Sequence, residues 1–239
     1  MPHCIFQPHT TPTPGEILTV SGPEAHHAVR VKRLEVADTL HILTGAGHRA
    51  VCSITTITKP RGEWQLTLTV QAVTLDPPTA PRLLVCSAVP KGDALEQMID
   101  GLSQAGAAAW SPLTCERTVV DPRDAKLARL TRVCEESLKQ SARAWLMAVE
   151  PALTFADALK LPNVIVADAT GEPYAPTTSA TSDQPLTLLI GPEGGLTPGE
   201  LAAARASRAR ICTFGVHIMR IEVAAVVAAG CILSPRPHA

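Results

Sequence analysis

A run of small and turn-forming residues, Leu189–Glu200, has the composition of a binding loop for a small polar ligand. The apolar strand before it ends at Gly191, and two further glycines allow the backbone to approach a ligand without a Cβ in between. Thr197 and Glu200 then have the spacing of a helix start with a capping box. Exposed backbone amides at such a corner favour a ligand at the carboxyl edge of a sheet. An ordinary tight turn is the alternative.

A second segment, Phe214–Ala225, places charged residues at the start of an apolar helix. Arg220 and Glu222 lead directly into the apolar run Val223–Leu233. Charges at the mouth of a buried helix cost free energy unless they are paired or take part in function. An ion pair that only stabilises the helix start is the alternative. We expect this segment and the glycine-rich loop to be two walls of one cleft.

Basic residues cluster near the N-terminus, where His26, His27, Arg30, Lys32 and Arg33 follow one another closely. Such a cluster favours salt-sensitive contacts with phosphates that depend little on base sequence. A solvated charged face is the alternative. The adjacent histidines have no cysteine or carboxylate partners at ligand spacing, so we expect no metal site.

The overall composition is typical of a globular protein that has a hydrophobic core and little net charge. The 239 residues are 46% hydrophobic, and the formal net charge is −1, so RNA affinity would have to come from a local patch. Seven cysteines without a C-x-x-C pair indicate reduced thiols and a cytoplasmic location. The longest apolar run has eleven residues, whereas a membrane span needs about 20. No export signal is visible, and neither a P-loop nor a G-x-G-x-x-G motif is present.

A proline-rich stretch at residues 76–82 divides the chain, because three prolines there disfavour both a helix and a central strand. We predict an N-terminal β-domain over residues 1–75 and an α/β domain over residues 83–239. The first part contains β-like runs separated by glycine turns, which predict a small antiparallel barrel. Its predicted strands are Glu16–Val20, Thr39–Leu43, Ala50–Ile57 and Gln65–Val73.

The second part alternates strands with helices, which predicts a mostly parallel sheet covered on both faces. The predicted strands are Leu83–Val89, Ala107–Leu113, Asn163–Asp168, Leu186–Gly191 and Arg210–Gly215. The predicted helices are Asp93–Ala105 and Ala125–Arg143, and the run Val223–Leu233 is interpreted as a buried helix. Residues 171–185, rich in Thr, Ser and Pro, are predicted to form a loop.

Several motifs together resemble the ribosomal RNA small-subunit methyltransferase E family, the uracil-N(3) methyltransferase branch of the SPOUT superfamily. The sequence GPEGGLTPGE is followed about 20 residues later by FGVHIMRIEVAA, as in the paired loops of that family. Other segments occur in the family's order: His26–Leu34, Asp38, Pro90–Asp93, Glu116–Thr118 and Lys139–Arg143. The resemblance covers almost the whole chain.

The resemblance implies a PUA-like β-barrel that binds RNA, followed by a SPOUT domain with a deep C-terminal trefoil knot. It implies S-adenosyl-L-methionine as the cofactor and a homodimer as the assembly. The implied substrate is a uridine of small-subunit (16S) ribosomal RNA, within an assembled ribosomal subunit. No membrane partner is expected.

The resemblance also assigns roles to residues of this sequence. Three loops would hold the cofactor largely through backbone groups, and their residues are Val166, Ala169, Ile190, Gly191, Pro192, Glu193, Gly194, Gly195, Phe214, Gly215, Ile218, Met219 and Arg220. We further hypothesise that Arg220 favours the uracil anion, as an oxyanion site favours developing charge, and that Glu222 orients Arg220. A general-base role for Glu222 is the less favoured alternative. The N-terminal basic cluster would bind RNA, with Arg143 as a further wall of the pocket for a flipped base.

The chain departs from the family pattern at several positions. Val216 and His217 replace the usual Pro-Arg, Ile221 and Val223 replace threonines, and Ala142 replaces the usual glycine before Arg143. Two alternative functions follow. A SPOUT enzyme that methylates a ribose 2′-hydroxyl would keep the cofactor, and a non-catalytic RNA-binding assembly factor would have lost it.

Overall fold

The computed structural model describes residues 3–8, 11–120, 127–176 and 184–234. They form two compact units, one built from Met1–Pro78 with Glu135–Leu146 and the other from Thr79–Cys134 with Met147–Ala239. The first change of unit falls inside the predicted linker, whereas residues 135–146, which we had placed in the second domain, pack with the first unit. The predicted domain bounds stay a prediction, because a compact unit need not fold on its own.

The first unit is a five-stranded sheet with one short helix. Its elements are β1 (His3–Phe6), β2 (Ile17–Ser21), α1 (Gly22–His26), β3 (Thr39–Leu43), β4 (His48–Thr58) and β5 (Gln65–Leu75). A π turn, His27–Val31, continues α1, and a 3-10 turn, Pro60–Gly62, connects β4 with β5. The strand order is β1-β3-β4-β5-β2, and every pair is antiparallel except β1–β3. The four predicted strands are confirmed, and β1 was missed.

The sheet of the first unit is curled, because the β4–β5 ladder shifts its register at two places, near Val51 and near Ile54. Irregularities of this type bend a strand and increase its twist. Alternate residues of each strand point into one core, whose fully buried members include Leu40, Ile42 and Leu68. Near the two edge strands, Gln7 Nε2 donates to the carbonyl of Thr19 at 3.4 Å. The expected PUA-like antiparallel structure is confirmed as a curled sheet.

Residues 135–146 are joined to the first unit by Arg49, Asp76 and Trp145. Arg49 Nη2 forms an ion pair with Asp76 and donates to the carbonyl of Ala142 at 2.8 Å. Trp145 Nε1 donates to the carbonyl of Asp76 at 2.8 Å, and its ring covers Gly47. Ala142 has φ +53°, a left-handed conformation in which a Cβ is disfavoured. Glycine would adopt this conformation without that cost.

The second unit alternates strands and helices as predicted. Its elements are β6 (Leu83–Ser87), α2 (Ala94–Ala105), β7 (Ala109–Thr114), α3 (Leu127–Ser141), β8 (Ala148–Val149), β9 (Leu153–Thr154), α4 (Phe155–Ala158), β10 (Val164–Pro173), β11 (Leu186–Ile190), α5 (Pro198–Ala206), β12 (Arg210–Thr213) and α6 (Ile221–Leu233). Helix α3 begins in this unit and ends in the first. Residues 177–183 of the predicted loop, and 125–126 of the predicted helix, lie outside the described residues.

The strands of the second unit form one parallel sheet in the order β12-β10-β11-β6-β7-β8, with β9 also beside β7. Strands β6 and β11 at its centre are almost wholly buried, as expected for a sheet covered on both faces. Gly101 of α2 lies against Val226 of α6, where a Cβ would approach Val226 Cγ2 to 2.8 Å. The expected mixed α/β class with a parallel sheet is confirmed. The trefoil knot stays a prediction.

Helix α6 differs from the expected buried helix, because one of its faces is exposed. Ala225, Ala228 and Ala229 are buried, whereas Val223 is 45% and Val227 37% exposed. The sequence did not reveal this face, since the helix is apolar on all sides and has no polar stripe to mark it. Within the described ranges, no helix combines the length and apolar character that a membrane span requires.

Candidate active site

The carboxyl ends of the neighbouring strands β12, β10, β11, β6 and β7 lie at one edge of the sheet, because all these strands are parallel. This edge is where open α/β sheets bind their ligands. The glycine-rich segment singled out from the sequence follows β11, and the segment with the charged residues follows β12. The strand order therefore brings both segments to the same edge.

The glycine corner, defined here as Gly191–Gly195, forms a tight turn closed by a hydrogen bond from Gly195 N to Pro192 O at 2.8 Å. Gly195 has φ +71°, and a Cβ there would meet no atom within 4 Å. A Cβ at Gly191 would lie 3.0 Å from Leu196 Cδ2, so the side chain of Leu196 fills that space. The corner thus presents backbone to solvent on one side and is packed on the other.

The predicted capping box after the glycine corner is confirmed. Thr197 Oγ1 accepts from Glu200 N at 3.2 Å, and Glu200 Oε2 accepts from Thr197 N at 2.8 Å. Glu200 is only 7% exposed, and its Oε1 accepts from the backbone N–H of Glu116 at 2.9 Å. Hydrogen bonds from backbone amides satisfy this buried carboxylate.

A second contact with the glycine corner comes from Arg117, whose Nη1 donates to the carbonyl of Gly194 at 2.8 Å. Glu116–Thr118 is one of the segments that carry the family resemblance, and the sequence alone predicts no role for it. Only the position of the turn after β7, beside the turn after β11, makes this contact visible. No spacing pattern could have found it, because the two residues are far apart in the chain.

Of the two cofactor residues expected in β10, Ala169 lies in an outward loop of that strand and Val166 lies in the ladder before the loop. Ala167 and Glu172 both pair with Cys212, so residues 168–171 project from the ladder. Asp168 Oδ1 accepts from Thr170 N at 2.8 Å and from Thr170 Oγ1 at 2.6 Å, which fixes the loop. Ala169 is exposed in this loop. Val166 is fully buried in the core, so its side chain supports the loop and faces no solvent.

Gly171 is a further residue of this loop that the sequence analysis missed. A Cβ there would lie 2.5 Å from the carbonyl carbon of Ile211, so only glycine permits this contact between backbones. The signal was an isolated glycine near a predicted strand end, which often marks a close backbone approach. We had included it in the predicted loop that begins at residue 171.

In the segment after β12, Phe214–Arg220, some side chains pack against neighbours and others are exposed to solvent. The ring of Phe214 stacks on Tyr174 with centroids 4.9 Å apart. Met219 folds back, so that a Cβ at Gly215 would lie 3.3 Å from its Cε. The side chain of Ile218 is 95% exposed. Exposed apolar side chains beside an ordered turn are typical of a surface that another molecule covers.

The expected single cleft is divided in this structure into two cavities. The glycine corner faces a small cleft lined by Ala88, Val89, Lys91, Thr118, Val119, Val120, Pro192, Glu193, Gly194 and Ile221. The loop after β12 borders a cavity of about 660 Å³ lined by Pro173, Tyr174, Pro176, Thr213, Phe214, Gly215, Val216, Cys231, Ile232 and Ser234. The two segments thus share an edge of the sheet, and Ile221 is the residue next to Arg220 that faces the glycine corner.

Arg220 and Glu222 flank Ile221 at the start of α6. Arg220 is exposed and occupies the N-cap position, with extended backbone angles (φ −65°, ψ 159°) and no side-chain capping bond. Glu222 is half-buried in the first turn. Among the described residues, these two side chains form neither a hydrogen bond nor an ion pair with each other. The ion pair considered as the alternative is therefore not formed, and the orienting role expected of Glu222 stays a prediction.

The basic cluster lies on α1 and the π turn of the first unit. His26, His27, Arg30, Lys32 and Arg33 are all exposed. Two buried alanines on the opposite face anchor the segment in the core of the sheet. The segment therefore presents its basic side chains to solvent. The alternative, a solvated charged face, has the same geometry.

His27 and Lys32 also border a cavity of about 640 Å³ within the first unit. Lys139, in the part of α3 that belongs to this unit, faces the same cavity and forms ion pairs with Glu24 and Glu136. Arg143 is half-buried in the stretch 135–146, so it belongs to the same unit as the basic cluster. Its expected role in a base pocket stays a prediction.

No disulfide bond joins any of the seven cysteines, all of which lie in the described residues, and six of them are buried. Burial raises the pKa of Cys86 to about 12, and burial with the nearby charge of Glu200 raises that of Cys115 to about 12. Such thiols are inert at neutral pH. In the portion of the chain that the structure describes, no three histidines, cysteines or carboxylates gather in a way that could hold a metal ion.

Comparisons with known proteins match both units. A family model described as "RNA methyltransferase domain" matches residues 77–233, and one described as "RNA methyltransferase PUA domain" matches residues 20–63. A Synechocystis protein named "Ribosomal RNA small subunit methyltransferase E" is 30% identical over 219 residues, which cover 88% of this chain and 71% of the relative. The Bacillus subtilis protein of the same name is 27% identical and covers 90% of this chain and 88% of the relative.

A solved structure with the same fold is that of a ribosomal RNA small subunit methyltransferase E from Neisseria gonorrhoeae, bound to S-adenosyl methionine. Its TM-score is 0.80 at 20% identity, and the match covers 97% of this chain and 96% of the other. At that identity the likeness concerns the fold. The architecture of both units is therefore that of a known RNA methyltransferase structure.

Proposed function

Since this chain belongs to the ribosomal RNA small subunit methyltransferase E family, we propose that it transfers a methyl group from S-adenosylmethionine to the N(3) atom of a uridine in small-subunit (16S) ribosomal RNA. The observation that supports this most is the shared edge of the sheet. There the glycine corner and Ile221, between Arg220 and Glu222, border one cleft. Donor and acceptor would meet at this edge.

The residues at this edge fit the proposed cofactor. A Cβ at Gly195 would meet no atom within 4 Å, so there is open space beside the backbone there, and the apolar side chains of Val89 and Ile221 line the adjacent cleft. The glycine corner, the β10 loop and the segment Phe214–Arg220 would hold the cofactor, largely through backbone groups. When bound, S-adenosylmethionine supplies a methyl group on a positively charged sulfur.

In-line methyl transfer depends above all on the alignment of donor and acceptor. The uracil N(3) must also lose its proton before it becomes a good nucleophile. Arg220 is exposed and precedes Ile221, which lines the cleft. A positive charge against the ring carbonyls would favour the anion. Glu222 has no bond to Arg220 in this structure, so we propose that it orients Arg220 only once the substrate is bound.

The role of Arg220 is tested by Arg220→Ala. We expect turnover to fall by about 10²- to 10³-fold, as for the loss of one stabilising donor, with little change in cofactor affinity. Turnover would be measured with labelled cofactor and unmodified small subunits, and affinity by calorimetry. If turnover and cofactor affinity fell equally, or if neither fell, Arg220 would have no part in the chemical step.

The basic cluster is proposed to bind the ribosomal RNA through phosphates, since its cationic side chains are exposed. The proposed substrate is an assembled ribosomal subunit, in a cytoplasm that keeps the seven cysteine thiols reduced. Arg143 is proposed to border the pocket for the flipped base.

The exposed apolar face of α6 supports a homodimer. Val223 and Val227 lie one helical turn apart on that face, and Ile218 precedes the helix. We propose that a second copy of this chain covers these side chains. Sedimentation equilibrium at micromolar concentration tests this, because a monomeric mass would contradict it.

One experiment separates the proposed function from the alternatives. The protein would be incubated with labelled S-adenosylmethionine and unmodified small subunits, and the modified nucleosides identified by mass spectrometry. We expect 3-methyluridine. A label on ribose would indicate the 2′-hydroxyl enzyme, which the glycine corner and cleft would also suit. Absence of binding heat with the cofactor would indicate the non-catalytic factor.

A further inference from the structure

We infer that Arg117 is a positioning residue that holds the glycine corner in shape for the ligand. The inference deepens the proposed function and rests on it for the identity of that ligand. Arg117 lies in the turn Cys115–Thr118 after β7, and the glycine corner follows β11. One hydrogen bond from its guanidinium and one from the backbone of Glu116 connect this turn with the segment that contains the corner.

The turn that carries Arg117 is itself well fixed. Thr118 N donates to Cys115 O at 3.1 Å, and Cys115 N donates to Thr118 Oγ1 at 2.8 Å. The backbone N–H of Glu116 is bound by the buried carboxylate of Glu200. Three hydrogen bonds therefore hold the turn, so Arg117 extends from a rigid base.

The glycine corner, in contrast, is restrained by few interactions of its own. Glycines lose more conformational freedom on folding than other residues, and within the corner one backbone hydrogen bond, from Gly195 to Pro192, closes the turn. Nη1 of Arg117 holds the carbonyl of Gly194 at 2.8 Å. The stem of Arg117 also covers Gly194, whose Cβ position lies 3.5 Å from Arg117 Cδ. Arg117 therefore restrains the glycine that lies at the tip of the corner.

The restraint acts on the proposed site, because Gly194 lines the cleft together with Thr118 and Ile221. The guanidinium contacts a backbone carbonyl, so its effect on the reaction would be indirect. A preformed corner binds its ligand more tightly, since less freedom is lost on binding. Loss of the restraint should therefore weaken cofactor binding and leave the overall stability almost unchanged.

The test compares Arg117→Ala with Arg129→Ala, which removes another exposed arginine of the same unit that pairs with Glu96. In the ligand-free full-length protein, we expect amide exchange at Gly194 and Gly195 to become about three- to tenfold faster in Arg117→Ala only, as for one lost hydrogen bond. We expect the Kd for S-adenosylmethionine to rise by a similar factor. Arg117→Lys, which keeps a donor, should recover part of both effects.

Each result decides the inference. The inference would be overturned if Arg117→Ala left amide exchange at the glycine corner unchanged, or if Arg129→Ala had equal effects. It would also be overturned if Arg117→Ala lowered Tm enough to account for the weaker binding. Faster local exchange with weaker binding and an unchanged Tm would support it. If the wild-type protein binds no S-adenosylmethionine, the proposed function fails, whereas the exchange comparison still decides whether Arg117 restrains the corner.

Discussion

The protonation of His3 should report the positive potential at the basic cluster. His3 lies in β1, and its ring stacks on that of His27 with centroids 5.6 Å apart. Its Nε2 is buried, with no hydrogen-bond partner among the described residues. Burial, and then the positive charges of His27, Lys32 and Lys139, lower the pKa of His3 from 6.5 to about 4. His27 and Lys32 are also residues of the proposed RNA-binding cluster.

The sign of the pH effect follows from this lowered pKa. Below pH 6.5 the unfolded chain binds a proton at His3 that the folded protein does not accept until about pH 4. The contribution of neutral His3 is therefore fully present above pH 6.5 and is lost as the pH falls from 6.5 towards 4. With these two pKa values, proton linkage lowers the free energy of unfolding by about 2 kcal/mol at pH 5.

The assay is urea unfolding of the wild-type protein and His3→Phe at pH 7.5 and pH 5. The phenyl ring keeps the stacking on His27 and does not titrate. We expect the free energy of unfolding of the wild type to fall by about 2 kcal/mol more than that of the variant. His41, whose pKa burial and then Arg49 also lower, is present in both proteins and cancels in the comparison.

Lys139, which faces the cavity, should keep its charge over this interval. Burial alone would lower the pKa of Lys139, but hydrogen bonds to Glu136 and Glu24 outweigh it and raise that pKa. Lys139 therefore remains charged. An NMR titration of the ring protons of His3 should show a midpoint near pH 4 in the free protein. Binding of a short RNA should raise this midpoint, because phosphates offset the positive charges.

Two results would refute this reasoning. One is a midpoint of His3 near pH 6.5 in the free protein, because burial and the positive neighbours would then have no effect. The other is a parallel loss of stability in the wild type and His3→Phe between pH 7.5 and pH 5. A midpoint that RNA leaves unchanged would place the phosphates away from His27 and Lys32.

Lys32→Ala should reduce the slope of log affinity against log salt concentration for RNA by about 0.7 to 0.9, if this side chain contacts one phosphate; an unchanged slope would exclude the contact. Ala142→Gly should raise the free energy of unfolding by about 0.5–1 kcal/mol in urea, because φ +53° is strained for alanine; a loss of stability would contradict this. Cys231, the exposed thiol, should react with a thiol reagent before the six buried cysteines, as mass spectrometry of the labelled peptides would reveal.

The periodicity of the sequence sufficed to predict most of the long elements. Strands β3 to β7 were identified as β-like or apolar runs between turns, and helix α2 from the helical spacing of its apolar residues. The capping box at Thr197 was also predicted correctly, since it depends on residues three apart in the chain. Strand β1, of four residues, and the two-residue strands β8 and β9 are too short for such a pattern.

The sequence by itself determined the class of the fold and the family resemblance, and it singled out the two loops of the candidate site. These features depend on residue types and on the spacing between residues that are close together in the sequence. Only the tertiary structure decided that Arg117 contacts Gly194, that Glu200 binds the turn after β7, and that residues 135–146 pack with the first unit. Such contacts join residues distant in the chain, and the order of strands in the sheet sets them.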